Sequence, residues 1–211
     1  MTQGVFVTFE GGEGSGKSTQ VDLLAQALGG VGVEVVTTRE PGGAPAAEHI
    51  RTLLVEGDAD RWTPKSEALL NYAARIEHLR QTIRPALQSG RWVICDRFAD
   101  STTAYQGYGH ALGSDWVAAL HELVVGDLQP DLTIILDMPV ETGLKRAEIR
   151  GGVDRYERMD VQFHERLRAG FLEIAARNPE RCTVIDATGS IENIQTAVRQ
   201  AVHAKFDVEI A

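Results

Sequence analysis

Short apolar runs recur along the chain and are separated by longer segments with a helical spacing of apolar residues. The runs are rich in valine and isoleucine and almost continuously hydrophobic, which is typical of strands covered on both faces of a sheet. Five of them stand out, at Val5–Phe9, Val33–Val36, Trp92–Cys95, Leu132–Leu136 and Cys182–Ile185. The pattern therefore predicts five buried strands.

Helical periodicity fills the segments between these runs. In the first of them, Val21, Leu24, Ala25 and Leu28 share one face of a helix over 18–28. Further helices are predicted from Pro64 to about Leu87, with Thr63 as N-cap, and over roughly 115–125, 140–149, 160–177 and 190–205. Strands that alternate with helices predict βαβ units and a parallel sheet.

Composition and charge narrow the class of protein. The chain has 211 residues, of which 43% are hydrophobic, and we expect one domain over 1–211. No run approaches the ~18–20 apolar residues that span a bilayer, and no signal-peptide pattern opens the chain. The net charge of −9 disfavours a nucleic-acid partner, because such partners usually meet a basic face. With only two cysteines and no disulfide framework, a cytoplasmic protein without a membrane partner is expected.

A glycine-rich motif joins the first predicted strand to the first predicted helix. Gly11, Gly12, Glu13, Gly14, Ser15, Gly16, Lys17 and Ser18 match G-x-x-x-x-G-K-[ST] without a mismatch, and Thr19 follows. Backbone N–H groups of such a loop surround phosphate oxygens at a helix N-terminus. Lys17 would reach the β- and γ-phosphates of ATP, and Ser18 would bind Mg²⁺. The motif predicts an α/β fold of the P-loop NTPase type, a five-stranded parallel sheet with helices on both faces.

Acidic residues follow four of the predicted strands, where the carboxyl edge of a parallel sheet forms a crevice for ligands. They are Glu10, Asp96, Asp137 and Asp186. Asp96 stands where P-loop proteins place an acid that holds Mg²⁺, and its neighbour Arg97 would bind a substrate phosphate. A structural Asp–Arg pair is the alternative, and helix capping is an equally good explanation for Asp137 and Asp186.

Arginines cluster near the end of the helix predicted over 140–149. They are Arg146, Arg150, Arg155 and Arg158, interrupted by Gly151-Gly152. Arg146 and Arg150 share a helix face and repel each other without an anion. Phosphoryl transfer needs cations that assemble when the site closes, so we predict a lid segment at about 148–158. A solvated basic face is the alternative.

Two further segments carry residues suited to a nucleotide. Arg39 and Glu40 follow the second strand and precede a Pro-Gly turn, so they face the same crevice as the glycine-rich loop. Asn71 and Arg75 share a helix face, and Tyr72 lies one turn from Arg75. A ring for stacking and a guanidinium for base carbonyls are what a nucleobase pocket needs. A core position for Tyr72 is the alternative.

Taken in order, these motifs resemble those of thymidylate kinases, the nucleoside monophosphate kinases that convert dTMP to dTDP with ATP and Mg²⁺. The similarity runs through nearly the whole chain. It includes F-E-G at 9–11, T-R-E-P-G-G at 38–43, A-A-R at 73–75, D-R at 96–97, S-T-x-A-Y-Q-G at 101–107, P-D-L-T at 130–133, L-D at 136–137, G-L-K-R at 143–146, D-R at 154–155 and I-D-A-T at 185–188. This ordered set is far more specific than the glycine-rich loop alone.

The resemblance implies roles for the matching residues on the acceptor side. Glu10 would contact the 3′-hydroxyl of dTMP, Arg39 and Arg97 its phosphate, and Arg75 the thymine O4. The loop around the base and deoxyribose would consist of Ser101, Thr102, Tyr105 and Gln106. Tyr105 would crowd out a 2′-hydroxyl.

On the donor side, the resemblance implies that Arg146 and Ala187 contact the bound ATP. Some family members carry an arginine inside the glycine-rich loop, but residues 12–15 of this chain contain none. Catalytic positive charge must then come from the lid, with Arg155 as first choice and Arg150 as second, acting beside Lys17 and Arg97. The family also suggests a homodimer.

One position departs from the family's pattern. Relatives usually carry an aromatic residue that stacks on thymine four residues before Arg75, whereas this chain has Asn71. Either Tyr72 replaces it through a small shift, or stacking is weaker. A kinase of the same architecture acting on another nucleotide or deoxynucleoside therefore stays open. So does a GTPase-like switch, although the chain has no N-K-x-D motif.

Overall fold

A computed structural model describes residues 4–151 and 155–210 of the chain. At its centre lie five parallel strands, β1 (Phe6–Glu10), β2 (Val35–Arg39), β3 (Trp92–Asp96), β4 (Leu132–Asp137) and β5 (Cys182–Asp186). Their order in the sheet is β2-β3-β1-β4-β5. Each strand overlaps one of the predicted apolar runs and ends slightly beyond it, so the predicted five-stranded parallel sheet is confirmed.

The register brings the acidic strand ends to one edge of the sheet. Arg39 lies opposite Asp96, and Asp137 lies opposite Asp186. Glu10 ends the central strand β1, which pairs with β3 on one side and β4 on the other. Parallel strands all end at the same edge, so residues distant in sequence share one crevice.

Helices follow each strand. They are α1 (Lys17–Gly30), α2 (Pro45–Val55), α3 (Pro64–His78), α4 (Arg84–Gln88), α5 (Ala99–Thr102), α6 (Ser114–Val124), α7 (Val140–Arg150), α8 (Val161–Arg177) and α9 (Ile191–Phe206). Two π-helical segments, Leu79–Ile83 and Thr103–Gly109, and a 3₁₀ turn at Tyr156–Arg158 lie between them. Within residues 4–151 and 155–210, no helix is long and apolar enough to cross a membrane.

The helices cover both faces of the sheet, as the sequence predicts. On one face α1 and α9 pack against strand residues that include Val7, Phe9 and Ile134. On the other face α3 and α6 pack near Phe6, and α8 packs near Ile135. Successive strand residues point to opposite faces, so two covered faces require the near-continuous apolar runs seen in the sequence.

The long helix predicted after Thr63 is present but changes its hydrogen-bonding period. Thr63 Oγ1 caps α3 by accepting a hydrogen bond from Ser66 N at 3.3 Å. The π-helical segment Leu79–Ile83 then leads into α4, whose second residue is Pro85. Proline has no N–H and its ring clashes with the carbonyl four residues earlier, so a wider turn accommodates it.

Two helical segments were not predicted from the sequence, α2 and the stretch from α5 through Gly109. Helix α2 buries Ala47 and Leu54, and with Ile50 these residues have a helical spacing that was present in the sequence but was not used for a prediction. The second stretch contains Gly107 and Gly109, which disfavour helices. Gly109 is needed there because a Cβ would lie 2.6 Å from the ring of Phe163.

Candidate active site

The glycine-rich loop joins β1 to α1 at the carboxyl edge of the sheet. Gly11 and Gly14 have φ angles of 130° and 66°, which favour glycine. A Cβ would lie 2.4 Å from Leu136 O at the first position and 2.1 Å from Gly143 O at the second. The loop therefore passes too close to neighbouring backbone for a side chain. It leads into the N-terminus of α1, where an anion is favoured.

An open pocket, which we call the P-loop pocket, extends over this loop. It is lined by Glu13, Gly14, Ser15, Gly16, Lys17, Ser18, Thr19, Arg39, Glu40, Arg51, Val55, Asp96, Arg97, Arg146 and Arg150. The predicted nucleotide-binding residues 13–19 thus line one pocket together with Arg146 of α7. Gly11 and Gly12 lie behind it and contribute carbonyl oxygens to Lys17.

Lys17 is the buried cation of the P-loop pocket. Its Nζ donates hydrogen bonds to Gly11 O at 3.2 Å and Gly12 O at 2.8 Å. It also donates to Ser15 Oγ at 3.1 Å. Burial lowers the pKa of Lys17 to about 8. A polyphosphate beside it would favour the charged form, since an opposite charge raises the pKa of an ammonium group.

Ser18 and Asp96 form the pair of oxygen donors predicted for Mg²⁺. Ser18 lies in the first turn of α1 and Asp96 ends β3, and Ser18 Oγ donates to Asp96 Oδ2 at 2.5 Å. Mg²⁺ binds hard oxygen ligands and usually takes one or two carboxylates together with waters and substrate phosphates. The two side chains therefore fit the ion.

Arg97 connects the glycine-rich loop to α5. Its φ of 71° lies in the left-handed region, which an arginine rarely adopts outside strained functional positions. Nη1 donates to Gly11 O at 3.0 Å and to Ser101 Oγ at 3.1 Å. The carboxylate partner of its guanidinium is Glu13, at 3.2 Å, rather than the adjacent Asp96. The structural Asp–Arg pair considered from the sequence is thus replaced by a contact across the site.

A second pocket, which we call the inner pocket, lies beside the P-loop pocket. It is lined by Glu13, Glu40, Pro41, Arg51, Val55, Asn71, Arg75, Arg97, Phe98, Ser101, Thr102, Tyr105, Gln106 and Tyr156. The two pockets share Glu13, Glu40, Arg51, Val55 and Arg97. Molecules held in the two pockets would therefore meet across these side chains. Three predicted substrate residues, Glu10, Arg39 and Tyr72, do not line the inner pocket.

Glu10 is buried and does not line the inner pocket, so its predicted contact with a sugar hydroxyl stays a prediction. Its carboxylate accepts hydrogen bonds from Phe98 N at 2.7 Å and Ser101 Oγ at 2.5 Å. Burial and the neighbouring charge of Asp100 raise the pKa of Glu10 to about 8. Both oxygens thus hold the α5 segment in place.

Glu13 faces the inner pocket, because the turn of the glycine-rich loop directs it there. Its carboxylate accepts hydrogen bonds from Arg97 and from the Tyr105 hydroxyl. Burial alone would raise the pKa of Glu13, but Arg97 and Lys17 outweigh it and hold the pKa below its ordinary value. The carboxylate is therefore ionised and able to accept a ligand hydroxyl.

Arg75 reaches the inner pocket from α3. Its Nε donates to Glu40 Oε2 at 2.7 Å, and its Nη2 donates to Phe98 O at 3.1 Å and Thr102 Oγ1 at 3.0 Å. Its Nη1 is buried and has no hydrogen-bond partner in the described part of the chain. A buried donor of this kind suits a ligand carbonyl.

Tyr72 is a core residue in this structure, which is the alternative considered from the sequence. It packs with Leu79 and Phe98 on the sheet side of α3, and its ring centre lies 4.5 Å from the Arg75 guanidinium. Phe98, which belongs to the same core cluster as Tyr72, also lines the inner pocket. Neighbouring residues on a helix point 100° apart, so Asn71 faces the pocket while Tyr72 faces the core. Only a rotation of α3 would exchange the two side chains.

Asn71 and Tyr156 form one wall of the inner pocket. Asn71 Nδ2 donates to Glu67 O at 2.9 Å, and its side chain is also hydrogen-bonded to Tyr156. The Tyr156 ring meets Tyr105 edge-on, with 5.2 Å between ring centres. Tyr156 was not predicted as a site residue, although its position inside the arginine cluster, directly after Arg155, was a signal.

Arg155, the first choice as catalytic cation, is buried and does not line the P-loop pocket. It forms an ion pair with Glu67 that is fully buried on both sides. Its Nε donates to Leu54 O at 2.9 Å and its Nη1 to Ala59 O at 3.1 Å. The carbonyl oxygens of Leu54 and Ala59 and the carboxylate of Glu67 thus surround its guanidinium. Through these contacts Arg155 connects the segment after α7 to α2 and α3.

Arg150 is the arginine of the cluster that lines the P-loop pocket alongside Arg146. Its side chain is 60% exposed and forms an ion pair with Glu157. Gly152 and Asp154, which belong to the predicted lid, lie outside the described residues.

Arg39 and Arg51 both line the P-loop pocket and both lie near Glu48 of α2. The Arg39 guanidinium is 56% exposed and lies 3.2 Å from Glu48 of α2, and it does not reach the inner pocket. Arg51 Nη1 donates to Pro41 O at 2.7 Å, and this side chain lines both pockets. Arg51 was missed because α2 was not predicted.

Asp137 and Asp186 have structural partners but do not cap the helices that follow them. The N-caps of α7 and α9 are Pro139 and Ser190. Arg168 donates to both oxygens of Asp137 at 2.8 Å, and Asp186 Oδ1 accepts from the backbone N–H two residues later at 2.9 Å. The buried Ala187, which follows Asp186, accepts a hydrogen bond from Arg146 Nη1 at its carbonyl oxygen, at 2.9 Å. This contact places the loop at Ala187, which was predicted to contact ATP, beside the P-loop pocket.

A phosphate-binding loop between the central strand and the first helix, with a second polar pocket adjoining it, defines a nucleotide-dependent phosphotransferase. Known proteins narrow this class. A family model described as thymidylate kinase matches residues 9–198. The thymidylate kinase of Caulobacter vibrioides is 56% identical over 202 residues, which cover 96% of this chain and 97% of that protein. That of a Bradyrhizobium species is 50% identical, with coverage of 99% and 94%.

The crystal structure of thymidylate kinase from Ehrlichia chaffeensis has the same fold. It superimposes with a TM-score of 0.78 at 38% identity and covers 95% of this chain and 99% of that one. The chain belongs to the thymidylate kinase family. The family resemblance, the P-loop α/β fold and the assignment to kinases are thereby confirmed.

Proposed function

We propose that the chain transfers the γ-phosphoryl group of ATP to dTMP, which yields dTDP and ADP. The observation that carries this proposal is the shared boundary of the two pockets, because direct transfer requires donor and acceptor to meet in line. ATP occupies the P-loop pocket and dTMP the inner pocket. The relatives that are named thymidylate kinases support this choice of acceptor.

The donor side needs fixed positive charge and backbone N–H groups. Residues 11–19 hold the phosphate chain, and Lys17 neutralises the β- and γ-phosphates. Arg146 and Ala187 flank the adenine-proximal end, since their mutual contact closes that side of the P-loop pocket. Arg150 replaces Arg155 as the catalytic cation beside Lys17, because it lines the P-loop pocket and Arg155 does not.

Ser18 and Asp96 would hold Mg²⁺ beside the phosphates. Bound there, the ion would neutralise charge on the β- and γ-phosphate oxygens and keep them in a fixed geometry.

The acceptor side needs one donor for the base and one acceptor for the sugar. Arg75 Nη1 donates to the thymine O4, and Glu13 takes the role in binding the 3′-hydroxyl that the resemblance gave to Glu10. Phe98 offers a ring face to the base. The remaining contacts to base and deoxyribose come from Asn71, Ser101, Thr102, Tyr105 and Gln106.

Arginines at the boundary of the two pockets bind the acceptor phosphate. Arg97 and Arg51 reach both pockets, and Arg39 approaches from the P-loop side. An oxygen of the dTMP phosphate attacks the γ-phosphorus, and the bond from that phosphorus to the β–γ bridging oxygen breaks. The attacking oxygen is already ionised, so no strong general base is required.

Assembly and location are part of the same proposal. We infer a homodimer in the cytoplasm. Exposed apolar side chains on α3, Leu69 and Ile76, offer a surface for a second copy. A single domain with a lid at about 148–158 stays a prediction.

A panel of acceptors tests the substrate. Initial rates with ATP and each of dTMP, dUMP, dGMP and dCMP are measured in a coupled assay, with and without excess GTP. We expect dTMP to give the highest kcat/KM and GTP not to compete with ATP. Preference for another monophosphate would overturn the acceptor, and strong GTP competition would favour a GTPase-like protein.

A further inference from the structure

We propose that His78 is a positioning residue for base selectivity, acting through Glu40 on Arg75. This inference rests on the proposed function, in which Arg75 Nη1 binds the carbonyl at position 4 of the base. His78 lies outside the inner pocket, so its effect on the acceptor is indirect.

Glu40 divides its carboxylate between two partners. One oxygen accepts from Arg75 Nε at 2.7 Å, and the other lies 3.0 Å from His78 Nδ1. All three side chains are buried, and His78 is fully so. The carboxylate is thus fixed in rotation by two donors on one face of α3, at positions 75 and 78.

The imidazole is itself fixed. His78 Nε2 lies 2.7 Å from the hydroxyl of Thr38 on β2. A carboxylate oxygen only accepts, so Nδ1 carries the proton that it donates to Glu40. In the neutral ring Nε2 then accepts from Thr38, whose hydroxyl rotates to suit. A Cβ on Gly43 would lie 2.3 Å from His78 Nε2, so the backbone there leaves the ring no room to turn.

The shared carboxylate determines where Arg75 points. Arginine prefers to pair side-on with a carboxylate through Nε and Nη2 together. Here only Nε contacts Glu40, because His78 holds the other oxygen, and Nη2 is left for Phe98 O and Thr102 Oγ1. Without His78, Glu40 is free to rotate into the side-on arrangement. The guanidinium would then turn, and Nη1 would no longer face the base.

The direction of Nη1 distinguishes bases. Thymine and uracil present a carbonyl at position 4, which accepts from Nη1. Cytosine presents an amino group there, which sets a donor against a donor and leaves a buried N–H unpaired. A misdirected Arg75 should therefore weaken dTMP binding and reduce its advantage over dCMP.

The test compares His78→Leu, which removes the donor, with His78→Asn, whose amide nitrogen restores one near the Nδ1 position. We measure kcat and KM for dTMP, dCMP and ATP. His78→Leu should lower kcat/KM for dTMP about tenfold and reduce the dTMP:dCMP preference by a similar factor. KM for ATP should stay unchanged, and His78→Asn should recover most of the loss. His203→Leu on α9, outside both pockets, is the matched control.

Other outcomes have defined meanings. Wild-type selectivity in folded His78→Leu, or an equal loss for dTMP, dCMP and ATP, would overturn the role of His78. If His78→Leu does not fold, Thr38→Val removes only the support of the ring and should give a smaller shift of the same kind, and unchanged selectivity would again overturn it. Arg75→Met separates the two proposals. Retained selectivity in Arg75→Met refutes the base contact itself, whereas lost selectivity there with none lost in His78→Leu refutes only the inference about His78.

Discussion

The two pockets of this enzyme are built in different ways. The P-loop pocket takes seven of its fifteen lining residues from one continuous stretch, residues 13–19. The inner pocket draws on separate segments, from the glycine-rich loop to Tyr156. A continuous loop appears as a sequence motif, whereas an assembled pocket depends on tertiary structure. The P-loop pocket is therefore formed largely by local sequence, whereas the inner pocket depends on the contacts that hold distant segments together.

Buried ion pairs hold the inner pocket together. Arg75 pairs with Glu40, and Arg155 pairs with Glu67, with almost no exposed area on either side. At the rim of the P-loop pocket the pair Arg39–Glu48 is largely exposed. Exposed pairs contribute little, while breaking a buried pair leaves an uncompensated charge. Substitutions at the P-loop pocket should therefore reduce mainly activity, whereas substitutions of the buried pairs at the inner pocket should reduce stability.

Lys17→Ala tests the P-loop side and should have the largest effect. The ammonium opposes charge on the transferring phosphoryl group, so kcat should fall about 10³- to 10⁴-fold, or ~4–6 kcal/mol. The backbone of the loop is held by glycine conformations, so the circular dichroism spectrum should not change. Lys145→Ala on the exposed side of α7 is the control for removal of a lysine. Activity of Lys17→Ala within tenfold of the wild type would contradict the assigned role.

The Glu67–Arg155 pair tests the inner pocket. Glu67→Gln or Arg155→Met should each lower the free energy of unfolding by about 3–5 kcal/mol, because the remaining charge stays buried. The double variant should recover a large part of that loss. Urea unfolding of the four proteins gives the coupling free energy.

The exposed pair supplies the matched control. Glu48→Gln and Arg39→Met should each change the free energy of unfolding by less than about 1 kcal/mol. If the two buried single variants cost no more than these, buried ion pairs do not hold the inner pocket together, and the contrast between the pockets fails.

The same contrast explains which features the sequence could predict. The strands follow from apolar runs, and the P-loop pocket follows from one motif, because both are local. Helix α2 has apolar residues at a helical spacing, at Ala47, Ile50 and Leu54, but was not predicted, so Arg51 was missed with it. Arg51 lies outside the glycine-rich motif, so its approach to the two pockets depends on how α2 packs in the tertiary structure.

Side-chain direction accounts for the remaining errors. Glu10 and Glu13 lie three residues apart at the same strand end, and only the turn of the loop decides which one faces the inner pocket. Tyr72 and Asn71 are neighbours on α3, and only the rotation of that helix decides which one points to the core. Arg155 carries the charge expected of a lid residue, yet its guanidinium pairs with Glu67, which lies 88 positions away in sequence.

Glu10 joins the two regions, so its titration gives the most specific test. It ends β1 directly before the glycine-rich loop, while its carboxylate holds Phe98 and Ser101 of the inner pocket. Burial, and then the charge of Asp100, raise its pKa from 4.5 to about 8. Between these values the folded state keeps a proton that the unfolded state has released. This contribution to stability is therefore complete below the lower pKa and is lost as the pH rises to the upper one.

Glu10→Gln should remove that dependence while it keeps an oxygen to accept from Phe98 N. The free energy of unfolding of the wild type should fall with pH relative to the variant, by up to about 1.4 kcal/mol per pH unit between pH 5 and 8. Subtracting the two curves cancels the other titrating groups, and Glu122→Gln on the exposed side of α6 shows what loss of a surface acid does. Parallel curves would mean that Glu10 is ionised throughout this range. The ionised carboxylate would then act on Arg97 by charge while it accepts hydrogen bonds from Phe98 N and Ser101 Oγ.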